Sequence, residues 1–217
     1  MKILFIGKRE DKAAEKAAKE LLQLFPNTQV VWSHRSIKYP EELKSWTGDY
    51  IFSYLAQWII PAATLNGAKV AALNWHPGPP QYPGIGCTNF AVYNQESEFG
   101  ITCHHMNPKV DTGSLVEVRR FPVQPNDSVF TITENCYKEI AASFSSIIKG
   151  IYAAQPLPES TEQWTRKPYR RTELDALCVL TPDMSKEEMQ LRIKATKYDR
   201  HWAFLELYGI KFMPVDD

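Results

Sequence analysis

The sequence lacks the features that mark several large protein classes. Its four cysteines, at positions 87, 103, 136 and 178, form no CxxC pair, so neither a zinc knuckle nor a disulfide framework is expected. The 25 lysines and arginines are matched by 25 aspartates and glutamates, which argues against a chain built mainly to bind nucleic acid through its phosphates. No apolar run approaches the roughly 18 residues of a membrane span, so no membrane partner is expected.

The N-terminal run Met1–Gly7 is apolar only briefly before charge returns at Lys8. A secretory signal needs a longer apolar stretch and a small-residue cleavage site, so we expect a cytoplasmic protein. With 217 residues, of which 44% are hydrophobic, the chain can bury the core of one domain of about 150 residues and carry a small appendage.

Short apolar runs alternate with helical patterns along the chain. The predicted strands are residues 3–6, 29–32, 50–54, 70–73, 99–106 and 115–123. The predicted helices are residues 10–25, 59–65, 88–93, 128–152 with Ser128 as cap, and 184–196. This alternation predicts an α/β fold with a doubly wound, mostly parallel sheet covered by helices on both faces.

The composition changes after residue 152, where Pro156, Pro158 and Pro168 interrupt a polar stretch. We therefore expect a main domain over residues 1–152 and a C-terminal extension over residues 153–217. The extension is predicted to end in a β-hairpin, residues 204–213, that turns at Tyr208 and Gly209. Because a lone two-stranded hairpin is marginal in water, it must dock on its own domain or on a second copy of the chain.

Asn74, His76 and Asp111 are candidates for acyl-transfer chemistry. Residues 74–86 follow the fourth predicted strand, where ligands bind in parallel α/β sheets. Acyl transfer to an amine needs a fixed donor for the developing oxyanion and a group that moves protons near neutral pH, which Asn and His supply. A carboxylate beside the imidazole stabilises its charged form. The residues alone leave structural roles open, since Asn and Asp often form turns.

Four short motifs follow one another along the chain: Asn74-x-His76-Pro77, Tyr82-Pro83-Gly84, Gly100-Ile101-Thr102 and Val110-Asp111-Thr112-Gly113. Together they resemble the formyltransferase family that uses 10-formyltetrahydrofolate. The resemblance implies a Rossmann-like fold, a catalytic domain over residues 1–152, 10-formyltetrahydrofolate as co-substrate and no metal. It also implies that Asn74 polarises the formyl oxygen, His76 shuttles protons, and Asp111 holds and charges His76.

Within this family the segments 52–61, 73–80 and 82–87 are similar to bacterial sugar N-formyltransferases. That resemblance implies a nucleotide-linked 4-amino-4,6-dideoxyhexose as substrate, with dTDP as carrier, and a role in O-antigen synthesis. Another small amine, such as glycinamide ribonucleotide, and a catalytically silent nucleotide-binding module remain alternatives. Residues 7–11 lack the Gly/Ser/Asn-rich phosphate loop of the ribonucleotide enzymes, and Gly86 stands where some relatives carry a folate-contacting arginine.

The resemblance further implies ligand contacts and an assembly. The residues expected to bind folate are Leu55, Gln57, Trp58, Ile59, Asn107, Pro108, Lys109 and Val110. The residues expected to bind the nucleotide sugar are Lys8, Arg9, Pro77, Gly78, Tyr82 and His104. The basic run 166–171 is either a solvated linker or a diphosphate contact. His34 and His201 are expected at the surface, and a homodimer formed through the C-terminal hairpin is expected by analogy with similar sugar formyltransferases.

Overall fold

The computed structural model describes residues 1–198 and 202–215, which excludes His201. The strands of the main sheet are β1 Ile3–Lys8, β2 Gln29–Ser33, β3 Gly48–Tyr54, β4 Ala68–His76, β5 Glu98–His105 and β6 Leu115–Pro122. The first four helices are α1 Lys12–Leu24, α2 Ala62–Leu65, α3 Cys87–Tyr93 and α4 Val129–Tyr152, and a short 3-10 helix covers Glu41–Ser45.

The six strands lie in the order β2-β1-β3-β4-β5-β6. Strands β1 to β4 pair in parallel, and β5 is antiparallel to both of its neighbours. All strands except β5 therefore point the same way, which confirms the predicted mostly parallel α/β sheet. The chain order reverses between β1 and β3, and ligand clefts of open α/β sheets lie at such a switch point, beyond the carboxyl ends of the strands.

The two faces of the sheet are covered by different elements. Phe5 on β1 packs in a core that includes Phe144 of α4, whereas its neighbour Leu4 packs with Leu43 of the 3-10 helix. This division follows from the strand pleat, which sends successive side chains to opposite faces. The predicted cap of α4 is confirmed, because the Ser128 side chain accepts a hydrogen bond from the backbone N–H of Thr131.

Strand β4 is longer than the sequence predicts. Instead of ending at residue 73 it continues through His76, so Asn74 and His76 lie on the strand and not in the loop that follows. The extension is stabilised by β5, whose Thr102 and His104 are register partners of His76 and Asn74. The apolar run ends at Leu73, but the backbone pairing does not, and alternation places Asn74 and His76 on one face while Trp75 is buried on the other.

The C-terminal extension contains α5 Arg171–Leu177, β7 Val179–Leu180, α6 Lys186–Thr196, β8 Phe204–Leu207 and β9 Ile210–Phe212. The predicted hairpin is confirmed with its turn at Tyr208 and Gly209, and β7 adds a third strand beside β8. Helix α6 docks against α3, where the Asn89 side chain donates to the carbonyl of Ala195. The sequence missed α5 and β7. The division at residue 152 stays a prediction.

No helix within residues 1–198 and 202–215 combines the length and apolarity needed to span a bilayer.

Candidate active site

A cleft of about 1280 Å³ opens beyond the carboxyl ends of β1, β3 and β4. Three further segments complete its wall: the loop after β4, the loop between β5 and β6, and residues 167–171 of the extension. Its floor carries Asn74, His76 and His104 from the two paired strands, with Asp111 beside them. The fold therefore brings the three predicted catalytic side chains into one cleft.

His76 is buried and held from both sides. Its Nδ1 lies 3.3 Å from Oδ2 of Asp111, and its Nε2 lies 2.7 Å from the carbonyl oxygen of Tyr82. Both neighbours only accept hydrogen bonds, and a neutral imidazole has one N–H to donate. A ring with hydrogens on both nitrogens donates to both partners, whereas a ring with one hydrogen makes only one of these two hydrogen bonds.

Asp111 is the centre of this network. Its side chain is about 7% exposed and accepts from three directions: from His76, from Nε2 of His104 at 3.2 Å, and from the backbone N–H of Gly84 at 2.8 Å. Burial opposes ionisation, but the charge of His76 and the hydrogen bonds from His104 and Gly84 lower the pKa of Asp111 from 3.8 to about 2. The carboxylate is therefore ionised at neutral pH.

His104 links Asp111 to Asn74. Its Nδ1 lies 2.8 Å from the carbonyl oxygen of His105, so this nitrogen carries the hydrogen. Its Nε2 lies 3.1 Å from the amide nitrogen of Asn74 as well as close to Asp111. The two contacts of Nε2 are alternatives, because this nitrogen donates to Asp111 when it carries a hydrogen and accepts from Asn74 when it does not. Since an amide nitrogen has two hydrogens, Asn74 keeps a second donor for a ligand in the cleft.

Two backbone features define the loop that carries Asp111. Asp111 itself adopts a left-handed backbone conformation, φ +45°, which is unusual for a residue other than glycine. Two residues later the loop presses on β5, because a Cβ on Gly113 would lie 1.8 Å from the carbonyl oxygen of His105. The glycine of the Asp-Thr-Gly motif is thus required by close backbone approach.

The eight predicted folate contacts all line the cleft. The loop after β3 is tied to the sheet, since the backbone N–H of Gln57 donates to the Ser33 hydroxyl on β2. The loop after β5 is held by a bond within itself, in which Oδ1 of Asn107 accepts from the backbone N–H of Lys109. Trp58 donates from its indole to the carbonyl of Ile37 and packs against the core, so it has a structural role besides its place in the cleft. The folate contacts stay a prediction.

The predicted substrate contacts are divided. Lys8, Pro77 and His104 line the cleft, whereas Arg9, Gly78 and Tyr82 are not among its lining residues. The ring of Tyr82 is buried against Phe99, where it removes apolar surface from water. Its hydroxyl donates to Glu96 and so keeps a hydrogen-bond partner.

Tyr82 and Gly78 contribute to the site through their backbones. The carbonyl oxygen of Tyr82 is one of the two partners of His76. A Cβ on Gly78 would lie 2.7 Å from Nε2 of His76, so the loop after β4 folds over the imidazole only with glycine at this position. The backbones of both residues thus shape the surroundings of His76, and their contacts with substrate stay a prediction.

The cleft is strongly cationic. Its lysine and arginine residues are Lys8, Arg35, Lys109, Lys167, Arg170 and Arg171, and among the lining residues that the structure describes Asp111 is the one carboxylate. Burial opposes the charge of Lys8, but Tyr137 and Asp11 together raise its pKa above 10.5. Arg166, in contrast, lies over the ring of Tyr169 and pairs with Glu173 at 3.1 Å. Part of the basic run 166–171 thus faces the cleft, and part is structural.

Cys87 also lines the cleft, but its chemistry does not fit a covalent mechanism. The thiol is buried and donates to the carbonyl of Pro77 at 3.0 Å. Burial raises the pKa of Cys87 to about 12, so the thiol stays protonated and is a poor nucleophile at neutral pH. The site therefore suits acyl transfer without a covalent intermediate on Cys87, with Asn74, His76 and Asp111 as the candidate catalytic groups.

Trp164 belongs to the site although no sequence pattern predicts it there. Its ring lies edge-on to both histidines, with centroids 5.9 Å from His76 and 5.2 Å from His104, and its indole N–H donates to the carbonyl of Gly113. The available signal was a large aromatic residue within an otherwise polar, proline-rich stretch. The missing information was the fold, which brings residue 164 back over β4 and β5.

Comparison with known families decides the classification. Residues 7–147 match the family model described as formyl transferase. The chain belongs to the formyl transferase family. This confirms the resemblance drawn from the motifs, and all four motifs lie within the matched residues.

Among curated members of the formyl transferase family, a methionyl-tRNA formyltransferase from Latilactobacillus sakei is 39% identical over 69 residues, covering 31% of this chain and 22% of the relative. The GDP-perosamine N-formyltransferase of Brucella melitensis is 27% identical over 148 residues, covering 68% of this chain and 56% of the relative. The chain therefore spans less than two thirds of the length of either curated relative.

Solved structures of formyltransferases share the whole fold. A sugar N-formyltransferase from a Shewanella species has a TM-score of 0.78 at 18% identity, covering 99% of this chain and 96% of its own. The N-formyltransferase from Helicobacter canadensis, in complex with folinic acid and dTDP-3-aminofucose, has a TM-score of 0.74 at 16% identity, covering 97% and 86%. The similarity extends through the C-terminal extension, beyond the residues that match the family model.

Proposed function

We propose that this protein transfers the formyl group of 10-formyltetrahydrofolate to the amino group of a nucleotide-linked amino-dideoxy sugar, in the cytoplasm. The observation that carries the proposal is the buried network of Asn74, His76, His104 and Asp111 on the floor of a cationic cleft. The proposed carrier is dTDP and the proposed context is O-antigen synthesis.

The proposed roles follow from the donors and acceptors of the network. The sugar amine bonds to the formyl carbon, the bond from that carbon to the folate nitrogen breaks, and the proton lost by the amine passes to the leaving nitrogen. Asn74 donates its remaining amide hydrogen to the developing oxyanion. His76 carries the proton, and Asp111 stabilises its charged form. Because both ring nitrogens of His76 are engaged, one hydrogen bond gives way when the ring meets substrate.

The cationic cleft supports an anionic acceptor. A nucleoside diphosphate brings two adjacent phosphates, and lysine and arginine side chains bind phosphate through charge-assisted hydrogen bonds. Lys8 lies at the end of β1 and Lys167 and Arg170 lie on the extension, so the cations approach from two sides. The similar enzyme from Helicobacter canadensis binds a dTDP-linked amino sugar, and the Brucella relative is a GDP-perosamine enzyme.

The test uses the purified full chain, 10-formyltetrahydrofolate and a panel of acceptors: dTDP- and GDP-linked amino sugars, glycinamide ribonucleotide and methionyl-tRNA. Mass spectrometry of each acceptor reports formylation, and absorbance reports loss of the folate formyl group. We expect a formylated dTDP-amino sugar. Formylation confined to methionyl-tRNA or to the ribonucleotide would overturn the proposed substrate class, and no formylation of any acceptor would overturn the activity.

We also propose that the C-terminal hairpin forms a two-fold contact between two copies of the chain. Ile210, Phe212 and Met213 are 59%, 51% and 57% exposed, so the hairpin carries apolar side chains that its own domain does not cover. A self-complementary patch of this kind is suited to a symmetric dimer, the commonest oligomer.

Light scattering at micromolar concentration tests the dimer. The full chain is expected to be dimeric, and Phe212→Glu is expected to yield soluble monomers. Val70→Glu is the matched control, because Val70 is equally exposed but lies at the start of β4, away from the hairpin. A monomeric wild type, or a dimer that survives Phe212→Glu, would contradict this contact.

A further inference from the structure

We infer that Trp164, on the C-terminal extension, is a positioning residue that holds Asp111 and both histidines in their reactive arrangement. The inference rests on the proposed function. It concerns a residue outside positions 7–147, where the family model matches. The C-terminal extension then completes the active site, whatever its role in assembly.

The first observation is the hydrogen bond from the Trp164 indole N–H to the carbonyl oxygen of Gly113, at 2.8 Å. Gly113 follows Asp111 by two residues, and Asp111 is held in a left-handed conformation. Such a conformation is strained and persists only where neighbouring contacts enforce it. The indole supplies one of those contacts to the loop that carries the carboxylate.

The second observation is the packing of the indole on the imidazoles. The Trp164 ring meets His76 at an interplanar angle of 73° and His104 at 82°, so both contacts are edge-to-face. Both histidines that the indole contacts are buried, as is Asp111. Excluding water from such a group of charges strengthens the interactions among them and fixes the geometry of the rings.

The third observation is that the segment carrying Trp164 is anchored on both sides. Upstream, the backbone N–H of Ser160 donates to the carbonyl of Leu115. Downstream, the N–H of Tyr169 donates to the carbonyl of Pro83, and the Tyr169 ring stacks on Phe90 with centroids 3.9 Å apart. Trp164 therefore lies between two fixed points, and one segment contacts both loops that surround His76.

Two substitutions separate the two contacts. Trp164→Phe keeps an aromatic ring but removes the donor to Gly113, and we expect kcat to fall about tenfold, as suits the loss of one buried hydrogen bond. Trp164→Leu removes both contacts, and we expect kcat to fall about a hundredfold through misplacement of the catalytic groups. In both variants KM for folate and acceptor should change less than about twofold, because Trp164 is not among the residues lining the cleft.

Trp46→Phe is the matched control. Within the described residues the Trp46 indole N–H is buried without a hydrogen-bond partner, and its ring packs on the opposite face of the sheet from α4. The same chemical change there should lower the melting temperature and leave kcat unchanged. If Trp46→Phe and Trp164→Phe lower kcat equally for an equal loss of stability, Trp164 acts only through the fold and the inference is overturned.

A second readout needs no turnover. The imidazole 15N signals of His76 and His104, assigned with His76→Asn and His104→Asn, should shift in Trp164→Phe and stay in place in Trp46→Phe. Unmoved signals in Trp164→Phe would overturn the inference even if the wild type proves inactive. If the signals shift in Trp164→Phe but the wild type shows no formyl transfer, the proposed function is overturned while the positioning role of Trp164 is supported.

Discussion

Replacing Asp111 with asparagine removes the charge at the centre of the network and keeps nearly the same shape. The carboxylate accepts hydrogen bonds on both oxygens, from His104 on one and from His76 and Gly84 on the other. An amide offers one acceptor and one donor. The NH₂ group of the new amide would therefore face either His104 or the pair His76 and Gly84, none of which offers it a suitable acceptor in the present arrangement. The charged form of His76 would also lose its anionic partner.

Two magnitudes follow. If His76 loses the partner that stabilises its charged form, the rate should fall by about 10²–10³-fold, within the range typical of general acid–base groups. The lowering of the Asp111 pKa from 3.8 to about 2 corresponds to roughly 2 kcal/mol of folding stability. Because the folded-state pKa is depressed, that stability is fully present above about pH 4 and is lost as pH falls through about 2.

The assay combines turnover with urea unfolding. At pH 7, Asp111→Asn should be slower by the stated factor and less stable by about 2 kcal/mol, and the stability gap to wild type should narrow towards pH 2 as the carboxylate is protonated. A variant with the wild-type rate would show that Asp111 has no part in the chemistry. A stability gap that stays constant down to pH 2 would refute the electrostatic account of its burial.

Two further predictions concern other groups of the site. Gly113→Ala should lower the free energy of unfolding in urea by about 2 kcal/mol or more, because the new Cβ would meet the carbonyl oxygen of His105. The control Gly209→Ala has open space around it and should cost only about 1 kcal/mol, for its positive φ. Equal losses of stability in the two variants would contradict the close approach at Gly113. Lys8→Met should raise KM for the nucleotide sugar about tenfold with little change in KM for folate, as expected for one phosphate contact, and the reverse pattern in steady-state kinetics would place Lys8 on the folate side.

The centre of the sheet was predictable because β1 and β3 are buried on both faces. Apolar runs also mark β2 and the buried part of β4, and Ser128 marks the start of α4. Strand β4 shows where this signal ends. Asn74 and His76 are polar, so the pattern predicts a loop, yet pairing with β5 continues the strand to His76. An apolar pattern reports burial, whereas hydrogen bonding to a distant strand leaves no local trace in the sequence.

The site was predictable only in part for the same reason. The motifs identify Asn74, His76 and Asp111, whose proximity follows from strand ends that meet at one edge of the sheet. Trp164 and the carbonyl of Tyr82 act on His76 through contacts across long sequence distances or through the backbone. Neither kind of contact is visible in residue type or spacing.

The most direct test of the central claim is a single-turnover experiment with wild type and His76→Asn, each in excess over 10-formyltetrahydrofolate and supplied with a dTDP-linked 4-amino-4,6-dideoxyhexose. Quenched samples report the formylated sugar, and a separate titration reports folate binding. We predict formylation by the wild type and a rate lower by about 10²–10⁴-fold for His76→Asn, with folate affinity changed less than about twofold. A variant that keeps more than about a third of the wild-type rate would contradict the assignment of His76 as the group that moves the proton.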